Sequence, residues 1–172
     1  MLECYIQKGK IQSGQGGLVQ DKQGKTLYYF SGKIGQANDS LILHGPTGVR
    51  LAKIVQTSTS FGTHFDLYLM DEKKARMTKL INWPMMTYIV PAYRWVVHGD
   101  LNRHTYHIQS GTKTVMDMYP ANTLMGEVFA IEVHNFEDIE LSLCIASVLD
   151  YWVQEKKNAE KRVVAGYPFP VS

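Results

Sequence analysis

"IELSLCIASVLDYWV", residues 139–153, is the stretch whose reading decides the fold. It reads as a helix, opening with acid in "EDIE" (Glu137, Asp138, Glu140) and closing with base in "QEKK" (Lys156, Lys157), as the helix dipole favours. At about 100° per residue, Glu140, Ser147, Asp150, Tyr151 and Gln154 fall within roughly a third of the circumference. The remaining arc is almost wholly Ile, Leu, Val, Ala and Trp. An apolar face that broad either sits in lipid or is wrapped by protein, and length separates the two. Fifteen residues at about 1.5 Å each reach roughly 22 Å, short of the ~30 Å hydrocarbon core of a bilayer. Glu140 and Asp150 would each cost about 2.5–3.5 kcal/mol near a bilayer centre. The segment is therefore read as a buried core helix, and the rest of the chain must supply its surroundings.

A chain of 172 residues suits one domain large enough to form a core without disulfides or metals. Apolar content of 45% and charged content of 20% are ordinary for a soluble globular protein. The formal net charge of +2 is too small to point to a nucleic-acid partner. The two cysteines, Cys4 and Cys144, have neither metal-ligand nor redox spacing, which suits buried free thiols in a reducing compartment. "MLECYIQKGK" lacks the apolar core of a secretory signal, so a cytoplasmic protein is expected.

Ahead of the helix, short β-rich runs alternate with turn signals. Twelve candidate strands are counted: "ECYIQK", "GLVQD", "KTLYYFSGK", "DSLILH", "VRLAKIVQ", "HFDLYLM", "KARMTKLI", "MTYIV", "RWVVHG", "RHTYHIQ", "KTVMDM" and "GEVFAIEVH". "DKQGK" (21–25), "HGPTG" (44–48), "MDEKK" (70–74) and "QSGTK" (109–113) read as hairpin turns. The first three recur about every two dozen residues, a weak internal repeat of hairpins. About eight strands make a barrel filled by its own side chains, and enclosing a helix about 10 Å across takes more. The expected fold is mainly β, a closed antiparallel barrel of about twelve strands around a central C-terminal hydrophobic helix. Its domain spans 1–158, with the helix at about 137–157. In the tail, 159–172, "AEKRVVAGYPFPVS" loses the helical pattern and either straps over the barrel through Tyr167 and Phe169 or stays loose.

"LYYFSGK", "LILHGPTGVRLAKIVQ", "RWVVHGDLNRHTYHI" and "EVFAIEVHNFEDIELSLCIASVLDYWV" together resemble the LURP-one-related family, which belongs with the tubby C-terminal domain and the phospholipid scramblases. The resemblance runs over roughly residues 1 to 155, and "EDIELSLCIASVLD" looks like the family's closing helix. It implies a tubby-like barrel of twelve strands around that helix. Its motifs are patterns of strand and helix, so they specify fold better than function.

No chemistry announces itself. His104 and His107 in "RHTYHI" lie three apart on a strand and point to opposite sides, and His44, His64, His98 and His134 are scattered without ligand spacing, so no metal is expected. "SGQGG" (13–17) matches neither phosphate-loop pattern and precedes no helix, no nucleophile elbow is present, and no cofactor is expected. Asp150 is read as a residue of the barrel mouth or a partner of a backbone amide. The chain is read as no enzyme, with no catalytic residue. Basic residues are the remaining lead: Lys33, Lys53, Arg76 and Lys79 on the repeated strands, Arg94 and Arg103 later. In the tubby branch, lysines and arginines on neighbouring strands bind a phosphoinositide head group, so the resemblance implies a binding module for anionic phospholipid at a membrane surface, or for a protein partner. The plainer reading of the same residues is solvated lysines protecting a barrel surface. The alternative function is a scramblase-like membrane-associated protein whose C-terminal helix contacts lipid.

Overall fold

The computed structural model describes residues 1–7, 17–58, 64–81 and 85–164. Twelve antiparallel strands close into a barrel: β1 (Leu2–Gln7), β2 (Leu18–Gln20), β3 (Thr26–Gly32), β4 (Ser40–His44), β5 (Arg50–Gln56), β6 (His64–Leu69), β7 (Glu72–Ile81), β8 (Met85–Val90), β9 (Trp95–Asp100), β10 (Thr105–Ser110), β11 (Lys113–Thr123) and β12 (Gly126–Val133). Each strand pairs with its sequence neighbours, and β1 closes the ring on β12 from Leu2 opposite Val133 to Gln7 opposite Val128. The twelve strands expected from the sequence are the twelve observed. Several bounds shift by one or two residues, and β11 differs most: it runs through Pro120 to Thr123, five residues past the run "KTVMDM". Pro120 sits opposite Phe129 in register.

Turn chemistry explains the hairpins. Met70 and Asp71 carry φ of 48° and 65°, the left-handed pair a two-residue turn between β6 and β7 requires. At the β2–β3 turn the Asp21 carboxylate accepts from the amides of Gln23 and Lys25, both at 2.9 Å. Alternation along the strands then sorts the side chains. Ala52, Ile54 and Gln56 of β5 and Phe129, Ile131 and Val133 of β12 face inward and are buried.

A 3-10 turn (Phe136–Asp138) leads from β12 into helix α1 (Ile139–Val164). Every residue from Leu141 to Asp150 is buried, so Ser147 and Asp150 of the polar stripe are enclosed along with the opposite arc and its Ser142. Ser147 Oγ donates to the Cys144 carbonyl at 2.6 Å, the usual way a helical serine satisfies itself. Burial of Leu143, Ile145, Val148 and Leu149 stabilises the fold by about 1.5–3 kcal/mol per side chain. The helix packs most closely on β4, β5 and β6.

At the far mouth Tyr151 meets the β3–β4 connection. A Cβ on Gly35 (φ 139°) would lie 2.7 Å from the Tyr151 hydroxyl, so only glycine fits. The Gly35 amide donates to the buried Gln56 side chain at 3.0 Å, fixing that loop over the emerging helix. The helix continues to Val164, past the end expected near 157, and the bases of its last turn are Lys161 and Arg162. The domain boundary drawn at 158 therefore falls within α1. Tyr167 and Phe169 lie outside the described residues, as do residues 13–16 of "SGQGG".

Candidate binding surface

The six basic residues singled out in the sequence do not form one group. Lys53 lies mid-strand on β5 and faces outward between buried Ala52 and Ile54. Arg76 faces outward from β7 between buried Ala75 and Met77. Lys79 lies three residues further along the same strand and so turns to the opposite side, in register with the fully buried Tyr88. Burial pushes its ammonium below the ordinary lysine range. Grouping Lys79 with Arg76 on one surface is thus corrected by strand parity. His104, expected on one strand with His107, instead lies in the β9–β10 turn with φ of 56°, one residue before β10 begins. Lys33 follows β3 and Arg103 lies in the β9–β10 turn, both exposed at the rim where α1 emerges. Arg103 reaches Asp100 at 3.8 Å. Arg94 is exposed at the opposite rim, where it caps the Pro91–Tyr93 3-10 turn with φ of 55°.

What the structure does assemble is a basic patch across β5, β6 and β7. Lys53 is paired with Tyr68 of β6, and Tyr68 with Lys73 of β7. The Lys53 ammonium sits 4.5 Å from the centroid of the Tyr68 ring, a cation–π contact, and has no carboxylate partner among the described residues. Beside them Asp66 of β6 accepts from Arg76 Nε at 2.8 Å and Lys73 Nζ at 3.1 Å. Burial pushes the Asp66 carboxyl up, but the hydrogen bonds and charges of Arg76 and Lys73 outweigh it and hold the group below the usual carboxylate value. One acid thus fixes two cations, and a third stands beside them over an aromatic ring. Lys73, Tyr68 and Asp66 escaped the sequence reading because cross-strand register alone brings them to Lys53 and Arg76.

The histidines also move relative to expectation. His44 stacks on Tyr29 with centroids 4.6 Å apart and bonds Ser31 Oγ at 2.7 Å. His98, His107 and His134, which looked scattered, come together on the outside of β9 to β12. Among the described residues, no group of three or more His, Cys, Asp or Glu side chains is placed to hold a metal ion. Burial pushes the Cys4 thiol up to about 12 and raises Cys144 as well, so both are protonated near neutral pH. The hydroxyls of Tyr88, Tyr106 and Ser142 are buried without a hydrogen-bond partner among the described residues.

These features define a closed twelve-stranded antiparallel barrel threaded by its C-terminal helix. Two known proteins are similar to the chain, one in sequence and one in structure. The chain is 19% identical over 150 residues to the uncharacterized protein YxjI of Bacillus subtilis (strain 168), covering 87% of this chain and 93% of that one. The X-ray structure of the Arabidopsis thaliana protein AT5G01750 superposes with a TM-score of 0.60 at 13% identity, covering 86% of this chain and 88% of that one. The second likeness speaks to the fold. No family model matches the chain. Among the described residues, no helix is long and apolar enough to cross a membrane.

Proposed function

We propose that the chain is a LURP-one-related, tubby-like barrel acting as a non-enzymatic binding module for anionic phospholipid head groups. The observation that carries this reading is the outward set of Lys53 on β5 and Lys73 and Arg76 on β7, joined across β6 by Tyr68 and Asp66. A rigid sheet holds these cations at low entropic cost, and the Asp66 bridge keeps Arg76 and Lys73 side by side. Lys53, with no acid partner among the described residues, and the donors left over on Arg76 can meet phosphate oxygens. The reading in which α1 itself contacts lipid is disfavoured, because the apolar residues from Leu141 to Leu149 already face the barrel wall.

Sedimentation with phosphoinositide-containing vesicles tests the proposal. Binding at low salt should weaken steeply at high salt, because exposed charges are screened within about 8–10 Å. Each basic residue near an anionic surface contributes about 1 kcal/mol, so removing the charges of Lys53, Lys73 and Arg76 together should weaken binding roughly a hundredfold. Absence of binding at low salt would overturn the lipid reading in favour of a protein partner.

A further inference from the structure

On the wall across from that patch, three strands align polar side chains in register. His98 of β9 lies opposite His107 of β10, and His107 lies opposite Asp117 of β11. Their strand neighbours Val97, Gly99, Tyr106, Ile108, Met116 and Met118 are the inward residues, so all three side chains share the outer face. His107 Nδ1 is 2.5 Å from Asp117 Oδ1, and the other carboxylate oxygen lies 3.3 Å from His134 Nε2. An ionised carboxylate only accepts hydrogen bonds, so the proton of a neutral His107 sits on Nδ1 and the Nε2 lone pair is left open. A carboxylate behind an imidazole in this way is how proteins orient metal-binding histidines.

We propose that His98 and His107 chelate one divalent transition-metal ion on the barrel surface, with Asp117 as positioning residue. Opposed residues of an antiparallel pair have Cβ atoms about 4.5–5.5 Å apart, which lets two imidazoles reach one ion at about 2.0–2.1 Å. No described side chain hydrogen-bonds His98, so its ring is available to turn toward the ion. Water completes the coordination sphere on the solvent side. Two imidazoles without thiolate select Cu2+, Ni2+ or Zn2+ over Mg2+ and Ca2+, with Cu2+ held tightest. The row continues through Glu132, opposite Asp117, whose charge draws cations toward this wall, whereas Glu3 beyond it is already paired with Lys22 at 3.2 Å. His134 holds the second Asp117 oxygen and supports the carboxylate.

Calorimetric titration of the untagged full chain with Cu2+ and with Zn2+ tests the site, together with electron paramagnetic resonance of the Cu2+-loaded protein. His98→Gln and His107→Gln should each weaken binding by about tenfold or more and remove one nitrogen donor from the Cu2+ spectrum. Asp117→Asn should weaken binding by about tenfold while both nitrogens remain. His44→Gln, on the other side of the barrel, should change neither readout. Circular dichroism of these surface variants verifies that each is folded. Wild-type affinity no tighter than that of the His98→Gln/His107→Gln double variant would overturn the proposal, as would a Cu2+ spectrum that the double variant leaves unaltered.

Discussion

The wall that α1 leans on and the wall across the lumen are built differently. Near the helix, β4 to β6 present Leu41, Leu43, Ala52, Ile54, Phe65 and Leu67. Across from it, β8 to β12 present Tyr88, Tyr106, Ile108, Met116, Met118 and Phe129. Tyr106 and Phe129 meet edge to face with centroids 6.4 Å apart. A ring of twelve strands is wider than one helix, so the helix lies against one side and large side chains fill the other. The outer faces diverge as well, cations on β5 to β7 and histidines with carboxylates on β9 to β12. Shape is settled inside the barrel and chemistry outside it.

The hardest way to break this arrangement is to place a charge between the walls. Leu149→Asp buries a carboxylate among aliphatic side chains at a cost of several kcal/mol, comparable to the whole stability of a domain. The variant should be insoluble or unfolded by circular dichroism. A soluble protein melting like the parent would show that the helix is not the common core. A smaller effect, confined to the far wall, is expected from Gly99→Ala. Its Cβ would lie 2.6 and 2.8 Å from two carbons of the Tyr106 ring, which has no room to retreat. Overpacking of this kind costs about 1–3 kcal/mol and lowers Tm by several degrees. An unchanged Tm would mean that the aromatic side of the lumen is looser than the geometry states.

Asp66→Asn should have the smallest effect on stability and should act on the outside of the near wall. The folded-state pKa of Asp66 is depressed, so its contribution is present above the unfolded value of about 3.9 and is lost as pH falls through the folded value. Wild type should exceed the variant by about 0.5–1 kcal/mol near neutral pH, with the gap closing in acid, as urea titrations at several pH values would measure. The same change releases Lys73 and Arg76, so vesicle binding should tighten by about fivefold. Weaker vesicle binding would instead mean that Asp66 organises the cations more than it masks them.

Much of the architecture was legible in one dimension. Short β-rich runs set between turn signals mark all twelve strands, and the breadth of the apolar arc at 139–153 requires an enclosure. Local signals misled where a residue type competed with its context. The run "KTVMDM" continues through Pro120 to Thr123 in β11, and the helix outlasts its apolar pattern because the charged residues after Tyr151 are themselves good helix formers. The surface was much less legible. Lys53 reaches Tyr68 through the β5–β6 register, and His107 reaches Asp117 through the β10–β11 register, which depends on turn length and on the bulge at Ile108–Gln109. Parity was available in the sequence and would have set Lys79 apart from Arg76. The neighbours across each strand were not.

The seam between β1 and β12 has a consequence for the order of folding. Eleven of the twelve strand pairings join strands adjacent in the chain, whereas this one joins Leu2 to Val133. Its closure entropy is the largest of any pairing, so the nascent sheet exists first as an open, curling ribbon with two bare edges. Those edges stay sticky until β12 has been synthesised, and only closure of the ring removes them. During that interval the molecule is most exposed to aggregation, and a chaperone that shields β1 would act there.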